Sequence, residues 1–342
     1  MTPKERVLAA FRFEEPDDMV PAWEVESQLY EELLGRAPIV GYEFAKLSSK
    51  EKERAIYANA ELMIEVAEHT EQCAILQFGG YWEIAPGRPA LLWLPDCEAQ
   101  LAQLHTLKEL AGDRFLILGR AGCVPSIPTG KDMAAYCYHL YDHRHEVREE
   151  AAQNMRQSIE WGKKQLEAGA QGVVMCSDVA FNNGPFLPPD LVDELIAPNV
   201  QLWAHTFKQL GVPTIWHTDG NVTPMIDIMT DARVTALQAI DPIAGMDIIS
   251  LKQHVYGKMT LIRNVNCLTL QFGTPKEIAE ECRTMIESCK AGGGYVFGCS
   301  NAVFKGIPIE NFLVAVEALR KYGRYDSGAG KWGTVEACVK EN

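Results

Sequence analysis

GGGYVFGCSNAVFKGIP, residues 292–308, reads as an apolar strand that stops at Cys299, Ser300 and Asn301 and opens into a loop turning at Pro308. Directly upstream, TPKEIAEECRTMIESCKAGG (274–293) is helical, with Thr274 as N-cap, Pro275 in the first turn and Gly292 at the stop. A helix feeding a buried strand is the unit from which α/β folds are built. The same rhythm recurs along the chain. Strand candidates are MVPAWEV (19–25), CAILQFGG (73–80), FLILGRAG (115–122), QGVVMCSD (171–178), PTIWHTD (213–219), VTALQAID (234–241), MTLIRNVN (259–266) and GYVFGCS (294–300). Amphipathic stretches at 49–70, 145–169 and 187–210 precede the second, fourth and fifth of them. Eight strands alternating with helices fit a (β/α)₈ TIM barrel, preceded by a helical N-terminal extension (MTPKERVLAAFRF). An open doubly wound sheet is the alternative. No GxGxxG follows the first strand and no GxxxxGK[ST] occurs, which argues against the usual dinucleotide and triphosphate sites.

Composition narrows the classes. The 342 residues read as one domain over 1–342, a length that α/β barrels reach. Apolar residues make up 47%, enough for a large core. The net charge of −14 speaks against nucleic acid and against anionic membranes as partners. No signal peptide and no bilayer-length apolar run is visible. Ten scattered cysteines without a CxxC pair fit reduced thiols, so a cytoplasmic location is expected.

A barrel of this kind carries its chemistry at the C-terminal ends of its strands. Those ends collect Trp23 and Glu24, Tyr81 and Trp82, Arg120, Asp178, His217 and Asp219, Gln238 and Asp241, Cys267, and Cys299. Imidazole, carboxylate and thiolate are zinc ligand types, and a catalytic zinc uses three protein ligands with one position open. His217, Asp219, Cys267 and Cys299 are therefore the candidate metal set, with Asp241 in reserve. His217 and Asp219 are two apart and point the same way on an extended strand end. Each has a plainer reading. His217 could be a hydrogen-bonded barrel histidine, Cys267 and Cys299 small buried residues, and Asp241 the start of an Asp-Pro turn. Asp178 and Asp219 are candidate acid/base groups. Trp23, Glu24, Tyr81, Trp82 and the amide Asn182, in DVAFNNGP, are candidates for substrate contact.

Six stretches carry a resemblance: 2–24, DVAFNNGPFLPPDLVDELIAP (178–198), WHTDGNVTPMI (216–226), AIDPIAGMDI (239–248), NVNCLTLQFGTPKEI (264–278) and 292–323. Together they resemble the uroporphyrinogen decarboxylase superfamily over nearly the whole chain, which implies its (β/α)₈ barrel. True decarboxylases of that superfamily carry an arginine-rich segment similar to FMRQAGR. Here AWEVESQLYEELLG (22–35) stands in its place, acidic and without arginine, so an eight-carboxylate substrate is not expected.

The other branch of the superfamily is zinc-dependent and corrinoid-linked. It includes methanol and methylamine:coenzyme M methyltransferases and the methyltransferase I of O-demethylases. In the coenzyme M group an H-x-C pair and a later Cys hold zinc. His217 and Cys299 match the outer two; Asp219 stands where the middle Cys would be, and either supplies a harder oxygen ligand or leaves the place to Cys267. A site with an oxygen ligand suits an ether better than a thiol. The resemblance thus implies methyl transfer from an aryl methyl ether to cobalt(I), with zinc as Lewis acid on the ether oxygen and Asp219 or Asp178 protonating the phenol. No D-x-H-x-x-G corrinoid motif occurs, so the corrinoid is expected on a separate protein. A small methylated substrate and that corrinoid protein are the expected partners; the sequence leaves a homodimer open. A methyltransferase of the methanol or methylamine:corrinoid or coenzyme M type, a metal-free decarboxylase of a smaller substrate and a non-catalytic corrinoid-protein partner are the competing readings.

Overall fold

The computed structural model describes residues 1–79, 93–128, 130–262 and 264–325, and the backbone of 81–85 and 88–91. Eleven strands occur among them: β1 Ala74–Leu76, β2 Tyr81–Ala85, β3 Arg88–Leu91, β4 Leu116–Arg120, β5 Gly172–Cys176, β6 Ala180–Phe181, β7 Gly184–Pro185, β8 Thr214–His217, β9 Ala236–Gln238, β10 Thr260–Ile262 and β11 Tyr295–Val296. Seven form a curled parallel sheet in the order β1-β4-β5-β8-β9-β10-β11. Seven of the eight expected strands are thus present, each shorter than its apolar run.

The first expected strand, 19–25, is not an element of the sheet. It makes isolated parallel bridges instead, from Ala22 to Gln72 on one side and to Phe297 on the other. Trp23 N–H donates to Phe297 O (3.0 Å), Phe297 N–H to Pro21 O (2.8 Å) and Cys73 N–H to Ala22 O (2.7 Å). Pro21 has no N–H to donate, which limits the ladder to these contacts.

The sheet is buried on both faces, as parallel sheets are. Alternation along β4 shows it: Leu116 and Leu118 join Trp23, Val174, Ile215 and Val296 on the inner side, while Ile117 packs outward against Leu104, Leu107 and Phe115. The N-terminal helix, Pro3–Phe11, adds Val7 and Ala10 to the inner cluster. Thr2 and Glu5 cap that helix reciprocally, and Thr274 and Glu277 do the same for the helix Pro275–Cys289. The latter ends before Gly292, because Gly292, Gly293 and Gly294 all adopt positive φ and turn the chain into β11. The expected helix over 187–210 is split: Pro189–Leu191, a π-helical turn Val192–Ile196, then Ala197–Gln209. The ladder changes register just before Pro198, whose nitrogen has no hydrogen to give. Among the described residues no helix is long and apolar enough to cross a membrane.

Candidate active site

The C-terminal ends of β4, β5, β8 and β9 open on a cavity of about 500 Å³. Arg120, Cys176, Asp178, His217, Asp241 and Cys267 line it, with Ser300, Asn301 and Phe304 from the loop after β11. Parallel register sets this up: Cys176 pairs with His217, and His217 with Gln238, so three strand ends lie side by side.

His217, Asp219 and Asp178 form the chemical centre. Their potential ligand atoms all lie within 4.8 Å of one another, the one such group of three or more His, Cys, Asp or Glu among the described residues. His217 Nε2 stands 4.0 Å from Asp219 Oδ1. Asp178 Oδ1 accepts the Asp219 N–H (2.9 Å), and the Asn301 amide donates to Asp219 Oδ2 (2.7 Å). Asp219 Oδ1 is buried with no hydrogen-bond partner. Burial holds the Asp219 carboxyl above the usual carboxylate range; His217 opposes this and the Asp178 charge adds to it. His217 Nδ1 meets the Gln238 side-chain oxygen. Gly220, at φ +82°, turns the chain directly after Asp219, and a Cβ there would stand 2.2 Å from Ala180 O.

The thiols form a second group. Cys267 Sγ and Cys299 Sγ are 3.2 Å apart, and Ser300 Oγ is 3.4 Å from Cys267 Sγ. Cys267 reaches the cavity wall, whereas Cys299 is 1% exposed and lies behind it. The structure therefore brings the four expected ligands into two groups, and the tight trio contains Asp178 in place of the thiols. Asp241 lines the cavity, and its Oδ1 also accepts the Ile243 N–H (2.9 Å), the bond of a turn start.

The substrate candidates separate in space. Trp23 is 1% exposed and packs in the inner cluster, away from the cavity wall. Glu24 is buried, and its Oε1 accepts the Cys299 N–H (3.0 Å), so it supports the thiol strand from behind. Asn182 is exposed on the β6–β7 turn. The side chains of Tyr81 and Trp82 lie outside the described residues. Two residues that the sequence placed at strand ends without a role make direct contacts here. Gln238 is fully buried against His217, and Arg120 crosses to Cys176, with Nη1 3.0 Å from Sγ. Both stand at strand ends, so position in the fold was the available signal, but a Gln and an Arg at strand ends are unremarkable until register sets them beside their partners.

Residues 117–322, more than half of the chain, match the sequence pattern of the family described as uroporphyrinogen decarboxylase (URO-D). The chain belongs to the URO-D family. Among solved structures it is similar to a methyltransferase from Methanosarcina mazei, at 20% identity and a TM-score of 0.70, over 94% of this chain and 99% of that one. It is also similar to a B12-independent methionine synthase from Shewanella sp. W3-18-1 in complex with selenomethionine, at 10% identity and a TM-score of 0.55, over 89% of this chain and 97% of that one. These likenesses show a shared URO-D-like α/β fold. Comparison with curated proteins gave no match.

Proposed function

We propose that this URO-D family member is a zinc-dependent methyltransferase that moves a methyl group from an aryl methyl ether to the corrinoid of a separate protein. The observation that carries the reading is Asp219 Oδ1, a buried carboxylate oxygen without a hydrogen-bond partner, set within a His–Asp–Asp trio at a cavity. A buried, unanswered anionic oxygen is costly, and a cation between the three donors offsets that cost. Nitrogen and oxygen donors at this spacing fit zinc, and three leave a position for substrate.

His217 through Nε2, Asp219 through Oδ1 and the Asp178 carboxylate would hold the ion. Zinc there supplies Lewis acidity that stabilises charge developing on the ether oxygen. The protein's own groups orient the centre. Gln238 holds the His217 ring, Asn301 holds the second Asp219 oxygen, and Asp178 Oδ1 fixes the Asp219 backbone. The open cavity gives a corrinoid-bearing partner its approach to the methyl group. The segment 19–25 is read as the eighth stave of a (β/α)₈ barrel, since Ala22 bridges to both edges of the parallel sheet. The overall likeness to a methyltransferase across nearly the whole chain supports the same reading.

A metal-free decarboxylase is the second reading. It is favoured by an Asp219 carboxyl held above its usual range beside a cavity that contains the cation Arg120.

Elemental analysis separates the two. We expect about one zinc per chain, as a single catalytic centre requires, lost in His217→Ala and Asp219→Asn and kept in Cys299→Ala. Loss in Cys299→Ala would return the thiols to the ligand set. No zinc in reconstituted wild type would overturn the metal reading. Zinc-loaded protein is expected to methylate cob(I)alamin from methoxyarenes, and failure across a panel of them would overturn the donor assignment.

A further inference from the structure

The trio of His217, Asp219 and Asp178 leaves two thiols beside the same cavity without a task. Cys267 Sγ and Cys299 Sγ stand 3.2 Å apart. They are the one pair of thiols in contact among the described residues. The sulfurs have only to close from 3.2 Å to a bond of about 2.05 Å, a step on the scale of a small side-chain rotation.

The backbones on both sides are already fixed. Cys299 forms a parallel bridge with Val265, and its N–H donates to Glu24 Oε1 (3.0 Å). Ser300 N–H donates to Val265 O (2.7 Å). Across from them, Asn266 N–H donates to Glu281 Oε1 (2.6 Å), and the Asn266 side chain caps the helix Cys267–Phe272. The approach of the two sulfurs is therefore a product of the fold and not of a loose loop.

Access to the two sulfurs differs. Cys267 lines the cavity of about 500 Å³, whereas Cys299 is buried behind it. A small molecule in the cavity meets Cys267 first, and Cys299 is reached through Cys267. Ser300 Oγ, 3.4 Å from Cys267 Sγ, is placed to donate to that sulfur when it is a thiolate. Other thiols lack this arrangement. Cys282 and Cys289 are buried, and burial pushes them up to about 12 and about 11, so few of them ionise. Cys97 is exposed but has no thiol beside it among the described residues.

We infer that Cys267 and Cys299 are a redox-sensitive pair, joined as a disulfide by a small hydroperoxide that enters the cavity and parted again by a thiol reductant. The Cys267 thiolate attacks the terminal oxygen of the hydroperoxide. The O–O bond breaks, the remaining alkoxide or hydroxide takes a proton, and Cys267 becomes a sulfenic acid. The Cys299 sulfur then attacks the Cys267 sulfur; the S–S bond forms, and the sulfenic oxygen leaves as water with the proton that Cys299 gives up. The thiols lose two electrons and two protons, and the hydroperoxide gains them. A dithiol reverses the bond by two exchange steps and is itself oxidised to a cyclic disulfide. The bond ties the loop after β11 to the helix Cys267–Phe272, two residues from Asn301, whose amide holds Asp219 Oδ2 (2.7 Å). The inference goes beyond the proposed function and needs neither zinc nor corrinoid.

Peptide mapping of the full chain tests it. Reduced protein is treated with hydrogen peroxide, the remaining thiols are blocked with N-ethylmaleimide, and a non-reduced digest is read by mass spectrometry. A linked pair of peptides carrying Cys267 and Cys299, two hydrogens lighter than the reduced pair, is expected and should disappear with dithiothreitol. Cys282 and Cys289 should be recovered as blocked thiols. Two variants read the order of attack, with dimedone as the probe for sulfenic acid. Cys299→Ser should be labelled at Cys267, and Cys267→Ser should leave Cys299 unlabelled. A Cys267 that runs on to sulfinic acid beside a free Cys299, a bond from Cys267 to any other thiol, or a link that forms only in urea overturns the inference. So does the absence of the link when peroxide has fully oxidised the exposed Cys97, or labelling of Cys299 in Cys267→Ser. Chelator-washed protein should give the same link as unwashed protein. A link found only after washing would put the thiols back among the metal ligands and overturn the pair as a free redox site, whereas zinc analysis alone decides the metal reading.

Discussion

His217 Nδ1 faces the side-chain oxygen of Gln238, its register partner on the next strand. An amide oxygen only accepts, so Nδ1 carries the proton and Nε2 keeps its lone pair toward Asp219, 4.0 Å away. Gln238 thereby selects the tautomer that a metal ligand needs.

That relationship predicts the effect of Gln238→Leu. Zinc affinity should fall about 10- to 100-fold, the usual effect of removing a ligand's orienting partner. Gln238→Glu, which still accepts from Nδ1, should recover most of it. Competition against a chromophoric chelator measures both variants. Equal affinities in wild type and Gln238→Leu would remove Gln238 from the site.

Gly220 is the next lever. Alanine there meets a positive φ and the Ala180 carbonyl together. We expect Gly220→Ala to lose roughly 3 kcal/mol in urea unfolding and to bind zinc more weakly, because Asp219 is the adjacent residue. A change under about 0.5 kcal/mol, the range of an ordinary surface substitution, would show that the turn adapts at little cost.

Buried thiols predict an alkaline limit. Burial pushes Cys282 up to about 12, whereas an unfolded thiol ionises near ~8.5. The folded value is raised, so the stabilisation is fully present below about 8.5 and is lost as pH climbs toward about 12. Across that window the unfolded chain holds fewer protons, and stability falls by about 1.4 kcal/mol per pH unit for each such group. Cys282→Ala should therefore lose stability less steeply than wild type between pH ~9 and ~11, the interval between those two ionisations. Urea unfolding under reductant reads the two slopes, and parallel slopes would refute the assignment.

Backbone exchange tests the role of the segment around Ala22. The amides of Trp23, Cys73 and Phe297 carry its bonds to both edges of the sheet. If the segment closes a barrel, these amides should open only with the amides of β4 and β5. Hydrogen exchange resolved by residue measures this. Much faster exchange at Trp23 and Phe297 would leave the sheet open along that line.

Local chemistry was legible before any coordinates. The 3.6- and 2-residue periodicities, the Thr274 cap with Glu277, and the His217-x-Asp219 spacing depend on near neighbours in the chain, so the sequence by itself determined the alternation of helix and strand and the candidate strand ends. It overstated strand lengths, because apolar runs continue past the last ladder bond, as at 19–25. Tertiary structure decided everything that depends on register between strands and on side-chain rotation. Asp178 joins His217 from 39 residues away by way of the β5–β8 pair, Cys267 meets Cys299 instead of that trio, and Trp23 turns into the interior. A composition or a spacing shows which groups are present; convergence is set by which backbones pair and which face each residue presents.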